Sequence, residues 1–284
     1  MKPRSVGVES LGLYALSQLG FVEKLSVGIN GVMRAAILGN VIGRMAKPAS
    51  ELATWNWLQR HSALGELMDF DFEAMPHTRL YHASDVLMKH RKVIEDHIFS
   101  AVQTLFGLDE TVTLYDLTNT YFEGEAEGNS KAKRGHSKEK RSDCSLVTLG
   151  LVLDGSGFVR RSRTFAGNVA ECSTLEGMLE GLDAPQGALV IMDRGIATEA
   201  NVGWLVEHGY RYQIELMTDK SGKLVTGLTW NKVPVDGTMV THPGVYCLRS
   251  NETGWDEEKL WRTYTMLTDL ESVFRSLKSE LGLR

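Results

Sequence analysis

Two aspartates stand directly after strongly apolar runs, a position in which carboxylates can do chemistry. Asp116 follows residues 111–115, and Asp193 follows residues 188–192. A lone carboxylate is costly to bury, so such an acid is normally paired, caps a turn or binds a metal ion. The Arg-Gly pair after Asp193 also suits a turn cap. Since the ends of neighbouring strands converge on one crevice, a shared site and two separate structural roles are equally favoured.

A third acid, Glu271, lies seven residues after Tyr264 and seven residues before Lys278. This spacing puts the three side chains on one face of a helix. Arg275 follows Glu271 at i+4, and an isolated pair of this kind is usually solvated and contributes roughly 0.2–0.5 kcal/mol. On spacing alone, the solvated pair is the better interpretation of Glu271.

Short β-rich runs predict the sheet that would position these acids. They cover residues 111–118, 146–165, 188–195 and 211–218, and the second is a hairpin with an Asp-Gly turn. Helical segments at 171–182 and 198–209 separate the later runs. This order predicts an α/β fold with a mixed sheet and crossover helices. A final helix over residues 256–281 would carry Glu271.

Residues 1–108 predict an all-helical N-terminal domain, and residues 109–284 form the α/β domain with a short insertion at about 220–254. Gly20 terminates the first helix, a second runs to Met45, and Ser50 is the N-cap of a third. A longer helix is predicted after Ser84. Its buried stripe consists of Leu87, Ile94, Ile98, Val102 and Leu105. Trp55 and Trp57 are interpreted as core anchors rather than as a stacking surface.

The composition limits the class of protein. With 36 acidic and 31 basic side chains among 284 residues, the formal charge is -5, which excludes a uniformly basic coat for nucleic acid. Three widely spaced cysteines argue against a disulfide framework or a paired-cysteine zinc site and favour a reducing cytoplasm. Polar residues interrupt the most apolar stretch, residues 29–46, so we expect no membrane segment. No glycine-rich phosphate loop is present, and we expect no nucleotide cofactor.

A basic segment is hidden in this acidic total. Residues 131–163 contain nine basic and three acidic side chains, for a net charge of +6. The segment is either a phosphate-contacting surface or a solvated basic loop. Basic side chains on the final helix would add to such a surface. The candidate DNA contacts are Lys133, Arg134, His136, Lys138, Lys140, Arg141, Tyr264, Arg275 and Lys278.

Five strings in order resemble the DDE transposases of bacterial insertion sequences. They are YDLTNTYFEG (115–124), KRGHSKEKR (133–141), FAGN (165–168), DRG (193–195) and YTMLTDLESVFRSLKSEL (264–281). The last is similar to the Tyr-x2-Arg-x3-Glu-x6-Lys signature of one large subgroup. Tyr264, Glu271 and Lys278 match that signature, whereas Leu267 stands at its arginine position.

The resemblance implies an RNase H-like catalytic core in which Asp116, Asp193 and Glu271 bind two Mg²⁺ or Mn²⁺ ions. Such paired cations suit in-line attack at phosphorus. The implied activity is nicking of DNA at the ends of the element, followed by strand transfer into target DNA. The implied partner is therefore DNA, with a homodimer assembled on it and the helical domain available to bind the element ends.

Two other interpretations remain open. A carboxylate-based glycosidase also needs two acids, but it needs no basic loop, and the ordered strings disfavour it. A catalytically inactive remnant of a transposase, able at most to bind DNA, is the stronger alternative. The chain stops soon after the Glu271 helix, and only 78 positions separate Asp193 from Glu271, so we expect a shortened copy.

Overall fold

The computed structural model describes residues 3–26, 28–108, 112–138, 141, 143–216 and 247–282. Up to residue 106 the regular secondary structure is helical, which confirms the predicted helical N-terminal region. The helices are α1 (Gly7–Gln18), α2 (Phe21–Ser26), α3 (Gly31–Ala46), α4 (Glu51–Arg60), α5 (Leu64–Met68), α6 (Thr78–Lys89) and α7 (Arg91–Phe106). The core of this helical region includes the buried residues of α3, which are Ala35 to Leu38 and Ile42.

Local sequence signals set several helix ends. Gly20, with φ +63°, separates α1 from α2 because only glycine adopts this left-handed conformation without cost. Ser50 begins α4 as predicted, since its side chain accepts a hydrogen bond from the Ala53 N–H at 3.3 Å. Trp57 is buried, and the Trp55 indole donates to the Met75 carbonyl at 2.7 Å, so both tryptophans are structural.

The long helix expected after Ser84 is wrong. The chain forms α6 from Thr78 and then α7, because the backbone leaves the helical conformation at His90 (φ -100°, ψ 9°). Most of the predicted stripe is nevertheless confirmed, because Leu87, Ile94 and Ile98 pack against one core and Val102 is buried. Its last member, Leu105, is 54% exposed and lies outside the core.

The second half of the chain forms the predicted mixed sheet, and the described residues contribute six strands to it. Its strands are β1 (Val112–Tyr121), β2 (Leu146–Asp154), β3 (Val159–Ala166), β4 (Leu189–Met192), β5 (Arg211–Leu216) and β6 (Cys247–Ser250). The order is β3-β2-β1-β4-β5-β6, in which β1, β4 and β5 are mutually parallel neighbours and the other pairs are antiparallel. Most of the expected insertion, residues 217–246, lies outside the described residues, and β6 follows it.

Helices cover both faces of the sheet. On one face Tyr115, Leu117 and Met192 pack with α8 (Leu175–Leu179) and α9 (Glu199–Glu207), which a 3₁₀ turn at Glu171–Ser173 precedes. On the other face Leu114 and Ile191 pack with α10 (Glu257–Thr265) and α11 (Leu267–Ser279). The strict alternation of β1 between the two cores follows from the two-residue period of a strand.

The single final helix predicted over 256–281 is wrong in one respect. It divides at Met266, whose N–H bonds to the Thr263 carbonyl at 3.3 Å in a tighter i→i+3 turn. The two resulting helices still share one apolar core. Among the described helices, none has both the length and the apolar character needed to cross a membrane.

The helical region packs onto the sheet through α7 and β3. The Arg160 guanidinium lies over the Phe99 ring, 5.0 Å from its centroid, and Phe106 stacks on Phe158 at 5.4 Å. Glu95 accepts hydrogen bonds from the Ser162 N–H, at 3.2 Å, and from the Ser162 hydroxyl. Burial at this contact raises the pKa of Glu95 above its usual range, although both bonds oppose the shift.

Candidate active site

The two predicted aspartates lie at adjacent positions of parallel strands. Tyr115 of β1 and Met192 of β4 are partners in the register, so Asp116 and Asp193 are the next residue on each strand line. The pKa of Asp116 is raised to about 6, chiefly by burial and also by the negative charges of Asp193 and Glu171. The Lys138 ammonium and a backbone hydrogen bond from Leu117 oppose this rise. Asp116 and Asp193 therefore share a site.

Asp193 also has the turn-capping role that its sequence context suggested. Its Oδ1 accepts a hydrogen bond from the Arg194 N–H at 2.6 Å, and its carbonyl accepts from the Ile196 N–H at 3.0 Å. The side chain remains exposed. A side-chain oxygen used in a turn still has lone pairs available, so a structural role and a ligand role are compatible at this position.

Glu171 belongs to this site and sequence reasoning missed it. The Tyr115 hydroxyl, in β1 beside Asp116, hydrogen-bonds the Thr174 hydroxyl, which donates to the Glu171 carbonyl at 2.5 Å. This chain of bonds holds the 3₁₀ turn against the strand. A methyl group added at Gly195 would come within 3.1 Å of Glu171 Oε2, so glycine allows the DRG turn to approach the carboxylate. The signal available in the sequence was the position of Glu171, three residues after the FAGN string.

Lys138 is the cation of this carboxylate cluster. Its Nζ lies 3.8 Å from Asp116 Oδ1 and 3.7 Å from Glu171 Oε1, and it donates to the Leu117 carbonyl. The Asn119 side chain holds the loop backbone at His136 and at Lys138. Its amide donates to the His136 carbonyl at 2.8 Å and accepts from the Lys138 N–H at 3.1 Å.

Glu271 lies on α11, next to the buried Leu270, with its own side chain exposed. By strand alternation Asp116 is on the same sheet face as Leu114, and α11 covers that face. Within the described residues, no hydrogen bond or ion pair joins Glu271 to Asp116 or Asp193. Two of the three predicted carboxylates are thus together, and the third is on the adjoining helix.

The donor chemistry of the aspartate pair fits a hard divalent cation. Such cations prefer carboxylate oxygens, and a positive charge beside Asp116 would stabilise its ionised form. In the part of the chain that the structure describes, no group of three or more His, Cys, Asp or Glu side chains is arranged to hold a metal ion.

The basic segment divides into an exposed loop and a structural strand. Lys133, Arg134 and His136 are exposed, whereas Lys140 lies outside the described residues. Arg141 pairs with Asp143 at 2.9 Å, which leaves its charge partly compensated. The strand's arginines bond to the protein, because α8 ends beside β3: Arg161 donates to the Met178, Glu180 and Gly181 carbonyls, Arg163 to Gly177, and Arg160 to Leu182.

The remaining candidate DNA contacts are on the last two helices. Tyr264 is half-buried and packs in the core between α11 and the sheet, which favours the packing role. Arg275 is exposed and Lys278 is half-buried.

The two strings KRGH and FAGN meet in space. The Gly167 N–H donates to the Lys131 carbonyl at 3.0 Å, and a side chain at Gly135 would collide with the Gly167 carbonyl oxygen. Two glycines therefore let the basic loop lie directly against the end of β3. This contact places the loop that carries Lys138 beside β1.

The second half of the chain is thus a mixed six-stranded sheet with helices on both faces, and it follows a helical N-terminal region. A family model described as the transposase DDE domain matches residues 107–284, and the chain belongs to this family. Among solved structures, a piggyBac transposase in a synaptic complex with hairpin DNA, determined by cryo-EM, is similar at 10% sequence identity and a TM-score of 0.47. That alignment covers 88% of this chain and 59% of the piggyBac chain, so this chain spans about three-fifths of that length. No curated protein matches the sequence.

Proposed function

We propose that this protein cuts and joins DNA during transposition, with Asp116, Asp193 and Glu271 holding Mg²⁺ or Mn²⁺. The observation that carries the proposal is the adjacency of Asp116 and Asp193 on the parallel strands β1 and β4, within the segment matched by the family. The pKa of Asp116, raised to about 6 chiefly by burial and to a lesser extent by the charges of Asp193 and Glu171, supports it, since a bound cation would stabilise the ionised carboxylate.

When bound, a pair of divalent cations supplies activation of a water or a 3′ hydroxyl and stabilises the leaving oxygen at phosphorus. The chain's own residues would position this chemistry. Asp116 would provide carboxylate oxygens from within β1, Asp193 would provide them from just after β4, and Glu271 would provide them from α11. At neutral pH Asp116 is mostly ionised, because its raised pKa is about 6.

The DNA backbone would lie along the exposed basic loop. Lys133, Arg134 and His136 offer solvent-facing donors for phosphate, and Lys138 lies nearest the carboxylates. Lys140, Arg141, Tyr264, Arg275 and Lys278 complete the proposed contacts. Residues 1–108 are the proposed domain for the element ends, with two copies of the chain on the DNA.

Magnesium-dependent nicking of element-end DNA tests the proposal. We expect activity in the unchanged protein and a loss of at least about a hundredfold in Asp116→Ala and Asp193→Ala. Asp96→Ala is the matched control, because Asp96 is an exposed aspartate on α7 that pairs only with Lys92 among the described residues. Equal nicking by all four proteins would reject the assigned carboxylates.

The alternative function is DNA binding without cutting. It is favoured by the observation that, within the described residues, no group of three or more His, Cys, Asp or Glu side chains is arranged to hold a metal ion. Salt-dependent DNA binding in the absence of any magnesium-dependent nicking would support this alternative.

A further inference from the structure

Lys138 occupies the place at which positive charge is most needed in this site. Its ammonium lies within 4 Å of Asp116 and Glu171 together, at 3.8 and 3.7 Å, and it also donates to the Leu117 carbonyl. Asp193 adds a third negative charge to the same cluster. One lysine thus pairs with two carboxylates of a cluster that carries three negative charges.

The backbone that carries Lys138 is fixed as well as its side chain. Asn119 is only 6% exposed, and both atoms of its amide bond to the loop, one to the His136 carbonyl and the other to the Lys138 N–H. Ion pairs of flexible surface lysines are weak partly because ordering them costs entropy. The two hydrogen bonds of Asn119 reduce this entropic cost, because they hold the backbone of Lys138 in place before the ion pairs form.

We propose that Lys138 is an internal counter-ion that competes with the divalent cation for the carboxylate site. An ammonium and a divalent cation beside the same carboxylate repel each other at these distances. The divalent cation therefore binds tightly only when the Lys138 ammonium moves away from Asp116. While the ammonium stays, the affinity for the cation is lower. This inference rests on the proposed function, because it concerns the same site.

The competition has a consequence for DNA. The Lys138 side chain is 37% exposed, so a phosphate group can draw the ammonium away from Asp116. Binding of DNA and binding of the cation then favour each other, since each relieves the charge that opposes the other. Glu171 and Asn119 act as positioning residues that hold Lys138 in place when DNA is absent.

The experiment measures Mn²⁺ affinity of the full chain, stripped of metal and without DNA, by electron paramagnetic resonance of free Mn²⁺. Lys138→Met removes the competing charge and keeps the length of the side chain. We expect this variant to bind Mn²⁺ about tenfold more tightly than the unchanged protein, a value discounted for the partial exposure of the lysine.

Two controls separate charge from side-chain loss. Lys138→Arg keeps the positive charge and should retain the affinity of the unchanged protein within about twofold. Lys131→Met removes another lysine of the basic segment, whose ammonium bonds to Thr164 instead of a carboxylate, and should leave the affinity unchanged.

The outcomes distinguish this inference from the proposed function. Equal or weaker Mn²⁺ binding by Lys138→Met, with binding still lost in Asp116→Asn, overturns the counter-ion role and leaves the metal site standing. Unchanged Mn²⁺ binding in Asp116→Asn, or no binding by either the unchanged protein or Lys138→Met, overturns both.

Discussion

Asp116 and Asp193 are brought side by side because Tyr115 and Met192, the residues before them, are register partners in parallel strands. The two acids are 77 positions apart in the sequence, and the parallel pairing of β1 with β4 closes that distance. Parallel neighbours need a long connection, and here it runs from β1 through β2, β3 and α8 to β4. The carboxylate pair is thus a direct product of the sheet topology.

The charge of Asp116 predicts a pH-dependent stability. Its pKa rises from 3.8 to about 6 on folding, so the folded protein holds this proton more tightly than the unfolded chain. Stability of the metal-free protein therefore falls as the pH rises through this window. We expect Asp116→Asn to stabilise the metal-free protein by about 1–3 kcal/mol near pH 7.5 and to lose this advantage near pH 4.

Urea unfolding in the presence of a chelator measures this difference at the two pH values. A variant that is no more stable than the unchanged protein near pH 7.5 would contradict the buried, repelled state assigned to Asp116.

We expect the contact between the basic loop and β3 to depend on the absence of a side chain at Gly135. A methyl group there collides with the Gly167 carbonyl oxygen, so Gly135→Ala must displace the loop that carries Lys138. We expect nicking to fall at least about tenfold. Gly124→Ala is the matched control, because nothing lies within 4 Å of a methyl group at that position. Equal losses in both variants would argue against a specific role of the loop contact.

Substitutions in α7, at its contact with β3, should lower the free energy of unfolding by amounts that depend on how deeply each side chain is buried. Phe99 is 9% exposed beneath the Arg160 guanidinium, and we expect Phe99→Ala to lower the free energy of unfolding by about 3–5 kcal/mol. Phe106 is 65% exposed, so Phe106→Ala should cost less than about 1 kcal/mol despite its stacking on Phe158. Denaturant unfolding of both variants gives the comparison, and similar losses would contradict the assigned packing.

We expect the basic residues of the loop to affect DNA binding and those of β3 to affect stability. Replacing Lys133 and Arg134 together by alanine should weaken DNA binding and reduce the salt slope by about 2, because both side chains are exposed. Arg161→Ala should lower the melting temperature instead, since its guanidinium bonds to three carbonyls at the end of α8. Loss of DNA affinity in Arg161→Ala without loss of stability would place this arginine on the DNA surface.

Some of this architecture is readable from the sequence because it depends on local patterns. The apolar run before Asp193 marks the end of β4, and the Ser50 cap marks the start of α4. Both signals act over a few residues. The strand end expected at Asp116 is wrong, because β1 continues to Tyr121 in its pairing with β2. The mixed sheet follows from the order of the runs, which the connection rules limit to few arrangements.

Other features depend on contacts between distant segments and were not readable. Glu171 joins the site only because a 3₁₀ turn packs against β1, through the Tyr115 and Thr174 hydroxyls. The net charge of the basic segment could not show which of its basic side chains face solvent, and Arg161 and its neighbours bond to the end of α8. The break at Met266 arises in a helix whose apolar spacing continues across it, so spacing alone could not reveal it.

The most direct test of the central claim is a crystal structure of the protein with Mn²⁺ and DNA, in which anomalous scattering locates the metal. The account predicts an anomalous peak with oxygens of Asp116, Asp193 and Glu271 within about 2.0–2.6 Å of bound ions. A peak bound elsewhere, or Glu271 turned away from ions held by the two aspartates, would contradict the three-carboxylate site.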